Sequence, residues 1–449
     1  MPGLIGRDGF EQVARAALDL DGVDGVEVLF LHEFGGLTRF ASSEIHQSTY
    51  REDTALRVRV VTQDRVGVAS SNDFSVEGAR RAAQSAKELA SVVGADPLFP
   101  GLAGPAEPRA HESFDEATAA TTPEERAEAV AQLVGRCPPG FTAAGAYETM
   151  AVEIGVATTA GQVVWQPTTQ ASLTTVISGG EGGNGFAEAF TAGAAEVDPE
   201  AIGARAADKA VASQHPKPLE PGPYTVVLEP AAVSTLVGFL AWIGLGGRYL
   251  AEGRSCLSGK EGQRVIAPSL SIWDDAADPA TLGTTFDFEG VPRQRVDMIT
   301  DGVFLGGVYD MRTAQQTGKQ STGHALPSPN PDGPFPLNMF MSTGDATVEE
   351  MIASTQQGVL VTRFHYSNVV NPIESSITGM TRDGTFQISG GEVAGPVMNF
   401  RFTQSILEAL SGVSMVGRET QLASEFFFSA SRVPALKVDR FNFSSRSDH

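Results

Sequence analysis

Phe10, Val13, Ala14, Ala17 and Leu18 recur at the spacing of one helical face, which predicts a helix over residues 10–18. The pattern then turns to near alternation. GVEVLFLHEF, EIHQSTYRE, TALRVRVVTQ and RVGVASS read as extended segments, and their short connections predict antiparallel pairing. SVEGARRAAQSAKELASVVG returns to the helical period, with Ser75 at the N-cap and Gly94 near the end.

A Pro- and Gly-rich bridge, DPLFPGLAGPAEP, separates this cycle from a second one. TTPEERAEAVAQLVGRC predicts a helix capped by Thr122 with Pro123 at its first position. Strand-like FTAAGAYETMAVEIGVATTAG, QVVWQPTTQ, ASLTTVIS and FAEAFTAGAAE follow, and DPEAIGARAADKAVAS closes the cycle with an echo of SVEGARRAAQSAKELA. Two cycles of helix, strands and helix, over about residues 1–95 and 122–213, suggest a duplicated unit. Five prolines between Gln214 and Pro230 then place a domain boundary near residue 220.

Beyond it the pattern is mostly strand and loop: RVIAPSLSIWDD, TTFDFEGVP, QGVLVTRFHYS, GTFQISGGEVAGPV and PALKVDRFNF. Helices are expected only over LEPAAVSTLVGFLAWIG, ATVEEMIASTQ and TQSILEALSG. The expected class is α+β: a duplicated helix/antiparallel-sheet domain over residues 1–219, then a mostly β domain over residues 220–449.

Size and composition fit this division. A chain of 449 residues exceeds one ordinary core, and 41% hydrophobic with 19% charged residues is globular usage. A net charge of −22 without a basic cluster repels phosphate backbones, so nucleic acid is excluded as a partner. Two cysteines, Cys137 and Cys256, form neither a disulfide framework nor a CxxC metal pair, and fit a reducing cytoplasm. The N-terminus MPGLIGRDGFEQVARAALDL lacks the apolar run of a signal peptide. The apolar segment from Leu228 to Gly244 is shorter than the ~20 residues a bilayer needs, so no membrane span is expected.

No catalytic set emerges from the residues alone. GEGGNG at residues 180–185 matches a dinucleotide pattern, but FAEAFTAG after it reads as a strand rather than the required helix, so a glycine-rich hairpin is expected. His32, His46, His111, His215, His324, His365 and His449 include no HxxxH or HExxH pair. His324 and His365 lie in polar segments of the second domain, where a shared metal site competes with plain surface or hydrogen-bonded roles. Arg254 and Lys260 near Cys256 suggest an activated thiol, against the commoner buried structural one. Asp274 with Asp275, and Asp287 with Glu289, read as solvated or turn carboxylates before paired catalytic ones.

SCLSGKEGQRVIAPSLSIWDDAAD, GTTFDFEGVPRQRVDMITDGVFLGGVYDMRTAQQTG, STGHAL and ISGGEVAGPVMNFRFTQSILEALSGV, in that order, resemble the TldD/PmbA family of peptidase subunits. FASSEIHQSTYREDTALRVRVVTQDRVGVASSND is similar to the family's N-terminal sheet region, so the resemblance spans almost the whole chain. It implies a heterodimer in which a TldD-like subunit carries zinc on a helix reading HExxxH, whose glutamate activates the metal's water. That helix follows a VVL strand, where this chain has VVLEPAAVSTLVGFLAWIG.

At the corresponding positions stand Leu236, Val237, Gly238, Phe239 and Leu240, which neither ligate zinc nor move protons. The resemblance is thus to the TldE (PmbA-type) subunit: no catalytic residue, metal ligand or cofactor in this chain, and zinc in the partner. The implied role is to complete a channel admitting unfolded or modified peptides, with His324, Asn338, His365 and Asn368 as candidate lining residues. Two alternatives stay open. One is a biosynthetic paralogue whose complex hydrolyses an amide or peptide conjugate during natural-product maturation. The other is a chain with its own zinc-free hydrolase activity through Cys256 or the His324 and His365 pair.

Overall fold

The structure, a computed structural model, describes residues 3–423 and 430–447 of the chain. Its N-terminal part runs α1 (Gly6–Leu18), β1 (Gly25–Ala41), β2 (Glu44–Thr62), β3 (Arg65–Ser71) and α2 (Val76–Val92), then α3 (Glu116–Ala119), α4 (Pro123–Val134), β4 (Phe141–Thr158), β5 (Val163–Gly179), β6 (Asn184–Thr191) and α5 (Pro199–Ala212). All six strands form one antiparallel sheet in the order β3-β2-β1-β4-β5-β6. Each helix–three strands–helix cycle therefore builds one half, and the halves meet where β1 pairs with β4.

Local chemistry sets the helix ends. Ser75 accepts a hydrogen bond from Gly78 N, and Thr122 closes a capping box with Glu125 ahead of Pro123. Alternation divides the sheet into two faces. Val26, Val28, Phe30, Leu56 and Val58 pack under Phe10, Ala79, Ala82 and Ala86 of α1 and α2. Ala143, Tyr147, Ala171 and Leu173 pack under Val130, Leu133, Ile202 and Ala206 of α4 and α5. The segments EIHQSTYRE and TALRVRVVTQ are a single strand, β2, because β1 pairs with it continuously past Asp53 and Thr54.

The C-terminal part contains β7 (Gly222–Leu228), α6 (Pro230–Leu240), α7 (Gly247–Ala251), β8 (Ile272–Asp274), β9 (Val296–Thr300), β10 (Val303–Phe304), α8 (Met311–Thr317), β11 (Asn338–Met341) and α9 (Val348–Ala353). It continues through β12 (Gln357–Asn371), β13 (Ser376–Ser389), β14 (Glu392–Pro396), β15 (Phe400–Ser405), α10 (Ile406–Ser411), β16 (Val413–Ala423) and β17 (Ala430–Arg446). Strand β7 pairs with both β12 and β17, closing β7, β12, β13, β15 and β17 into a ring without a free edge. Phe364, Phe400, Phe402, Phe441 and Phe443 stack across these strands with neighbouring centroids 4.5–5.4 Å apart.

Two of the strand-or-loop segments are mostly loop. RVIAPSLSIWDD contributes only the three residues of β8, and TTFDFEGVP is an irregular loop with one bridge between Phe286 and Pro292. Its alternating apolar residues Phe286 and Phe288, together with Leu337 from elsewhere in the second domain, pack on Leu29, Ile154, Val156 and Val164 of the first domain. Among the described residues no helix is long and apolar enough to cross a membrane.

Candidate functional site

Helix α6 is the most apolar helix-forming stretch because it is packed on all sides, with residues 232–240 buried. It follows β7, starts on Pro230 and lies against β12 and β17 before a π-helical turn, Ala241–Leu245. Leu236, Val237 and Leu240 have no exposed surface, Phe239 is 2% exposed and Gly238 is buried. None of the five offers a side-chain nitrogen, oxygen or sulfur.

Cys256 lies beside this helix end, 3.3 Å from where a Cβ on Gly244 would stand. Burial pushes its thiol up to about 11, and Lys260 offsets this only in part. Arg254 is turned to Glu252 at 2.6 Å and stacks over Tyr249, so it does not activate the sulfur. The buried, protonated thiol is a packing group.

The acidic pairs, expected on solvated faces or in turns, are buried, because cations and backbone N–H groups converge on them. Asp274 Oδ1 lies 3.0 Å from His324 Nε2, and its Oδ2 accepts from Asn338 N at 2.7 Å. Burial alone would raise Asp274, but His324, Arg293 and that N–H outweigh it and hold the carboxyl below its usual range. Asp287 accepts from Glu289 N, Val291 N and Ala325 N; burial and the Glu289 charge push it up to about 7. Gly290, at φ +81°, completes the turn that sends Glu289 into the first domain. There Arg59 binds both Glu289, at 3.2 Å, and Glu27. One guanidinium serves two buried carboxylates, so burial pushes Glu27 up to about 7 despite its cation. Asp275 pairs with Arg109 of the first domain.

Two clefts of about 740 Å³ each flank this linkage. The first lies between the helix-free face of the N-terminal sheet and the loops around Leu282 and Asn338. The second opens at the start of α6, beside Glu229, Pro230 and Ala231, between residues 186–191 of β6 and residues 417–422 of β16. Strand β6 ends its sheet; β16 pairs with β17, and its other edge is covered at residues 416–418 by a parallel bridge to Ala346, so the β6 edge and residues 419–422 of β16 face this cleft. Gln421 Nε2 reaches Glu188 O at 3.3 Å across the gap. Thr362 Oγ1, buried in the lining, has no hydrogen-bond partner among the described residues. β6 residues Glu188, Ala189 and Phe190 line both clefts.

Of the candidate lining residues, Asn338 borders the first cleft, where its Nδ2 is held by Leu282 O. His324 is fully buried behind it, with Nδ1 2.9 Å from Thr322 O and Oγ1. His365 and Asn368 stand on β12, outside the lining of either cleft, so His324 and His365 form no joint site. Among the described residues no three His, Cys, Asp or Glu side chains gather as a metal site requires, and His449 lies outside them.

Comparison with known families agrees in order and extent with this architecture. Descriptions of PmbA/TldA metallopeptidase domain 1, central domain and C-terminal domain match residues 26–90, 112–214 and 221–445. The chain belongs to the PmbA/TldD metallopeptidase family. Metalloprotease PmbA of Escherichia coli O157:H7 is 25% identical over 95% of each chain. A TldD homolog of Haemophilus influenzae is 29% identical over 40% of this chain, and the match spans only 37% of that protein. A metalloprotease of Methanothermobacter thermautotrophicus is 25% identical, over 51% of this chain and 50% of its own length.

Two solved structures share the fold. TldE from Thermococcus kodakarensis superposes with a TM-score of 0.88 at 21% identity, covering 97% of this chain and 100% of that one. A putative modulator of a DNA gyrase from Thermotoga maritima gives 0.87 at 20% identity over 97% and 100%. For a PmbA/TldD family member, zinc is the implied metal. Positions 236–240 do not fit it: they carry no donor atom and are filled by core packing.

Proposed function

We propose that this chain is a TldE-like subunit of a heterodimeric zinc metallopeptidase, completing the channel through which unfolded or modified peptides reach the zinc of a TldD-like partner. The observation that carries this reading is α6: where the family resemblance expects a metal-binding helix, residues 236–240 are buried, donor-free core. In this reading the chain lends shape and binding surface, not a nucleophile, base or metal.

The edge of β6, with residues 419–422 of β16 facing it across the second cleft, supports it. An extended peptide adds to such an edge by main-chain hydrogen bonds, which every sequence can supply, so broad sequence tolerance follows. A folded domain has its main chain already paired and cannot do so. The reaction compartment is the cytoplasm.

Zinc content and peptide hydrolysis, measured on the chain alone and mixed with a TldD-like protein, test the proposal. The expected outcome is no stoichiometric zinc and no turnover alone, then about one zinc per pair with turnover, as one three-ligand site requires. Stoichiometric zinc or turnover in the lone chain would overturn it.

A further inference from the structure

The helix-free face of the N-terminal sheet is polar in a regular way. Alternate residues of β5, Thr168, Gln170, Ser172 and Thr174, point into the first cleft. All four are half-buried, and none makes a side-chain hydrogen bond among the described residues. A row of hydroxyl and amide groups beside a cleft of about 740 Å³ offers donors and acceptors that no side-chain hydrogen bond among the described residues uses.

The charges beside this row are unbalanced. Glu33, Asp53 and Glu148 share the face with Arg51, and Arg51 is bound to Glu33 at 3.0 Å. Asp53 and Glu148 have no ion-pair partner among the described residues. On the opposite wall Arg293 is occupied by Phe286 O at 3.2 Å and Asn338 Oδ1 at 3.3 Å. Half-burial of Glu148, helped by the Glu33 charge, raises its carboxyl above the ordinary range, Arg51 and exposed Arg39 lowering it only in part.

We infer that this cleft binds an extended basic peptide segment. Lysine or arginine side chains meet Asp53 and Glu148, while main-chain amides engage the β5 row. The inference rests on the peptide-channel reading above and adds to it a preference for substrate charge.

Fluorescence anisotropy on the full chain, with labelled Lys-Gly-Lys-Gly-Lys and Glu-Gly-Glu-Gly-Glu as probes, tests it. The lysine peptide should bind at least about fivefold tighter. Asp53→Asn and Glu148→Gln should each cut that preference by about two- to fivefold, the scale of a partly exposed ion pair. Glu44→Gln, an exposed carboxylate at the start of β2 outside the cleft, removes the same charge and should leave the preference intact. Asp53 is exposed, so its variant keeps the test sound if Glu148→Gln misfolds. Equal binding of the two probes, or equal effects of Glu44→Gln and Asp53→Asn, would overturn the inference. A chain that prefers the lysine probe yet never pairs with a zinc-bearing relative retains this inference and loses the subunit reading.

Discussion

Arg59 and Glu289 meet at 3.2 Å across the boundary between the two domains, with side chains only 8% and 11% exposed. Arg59 comes from β2, Glu289 from the irregular loop over residues 284–292, and Glu27 of β1 completes the group. Removing the cation would leave two buried carboxylates without compensation. Arg59→Met should therefore cost about 3–5 kcal/mol in urea unfolding, the scale of a broken buried ion pair. A loss under about 1 kcal/mol would mean that water or a repacked Arg57 replaces it.

The same triad gives a pH signature. Glu27 has its folded value pushed to about 7 against an ordinary 4.5, so the folded chain holds this proton more tightly than the unfolded chain. The contribution is complete below the unfolded value and disappears as pH rises through the folded one. Wild type should lose about 1–2 kcal/mol relative to Glu27→Gln between pH ~5.5 and ~8, since glutamine cannot titrate. Asp287 titrates in both proteins and cancels in the difference. Parallel pH profiles of the two would show that Glu27 stays ionised throughout.

The two N-terminal cycles were legible because period and caps coincide: Ser75 and Thr122 both act as caps, and alternating residues of β1 and β2 do face the helices. The segment carrying Asp287 and Glu289 could be read only as strand or loop, because FDFEG alternates like a strand while its apolar residues pack on the other domain. Local pattern carries no information on which surface receives it. His324 reads as a surface or hydrogen-bonded loop residue; it is hydrogen-bonded, and only the fold brings Asp274 to it. The polar row in QPTTQASLTT was visible as alternation. Its partners Asp53 and Glu148 come from β2 and β4, and only the strand order unites them.

Cys256 should be inert in the native chain. It is 2% exposed and its thiol is pushed up to about 11, so almost no thiolate exists near neutral pH. Iodoacetamide should label half-buried Cys137 first and reach Cys256 only under unfolding conditions. Cys256→Ser should leave hydrolysis by the assembled pair unchanged while costing about 1–3 kcal/mol, from burying a hydroxyl in an apolar site. Fast native labelling of Cys256, or lost turnover in that variant, would revive the reading of a chain with its own nucleophile.

Leu236 tests whether α6 is core or a dormant metal site. Leu236→Ala should cost about 2–5 kcal/mol, because the surroundings cannot fully close on the void. Leu236→His introduces a nitrogen ligand but buries it in the apolar core cluster with Val233, Val237 and Leu240, so it should cost at least as much. A lone imidazole does not assemble the three ligands a zinc site needs. Adding zinc should then leave the midpoint of thermal unfolding of Leu236→His where it was, since a ligand stabilises only a fold that binds it. A rise of several degrees with zinc would show donors close enough to complete a site, and the division of labour between two subunits would have to be reconsidered.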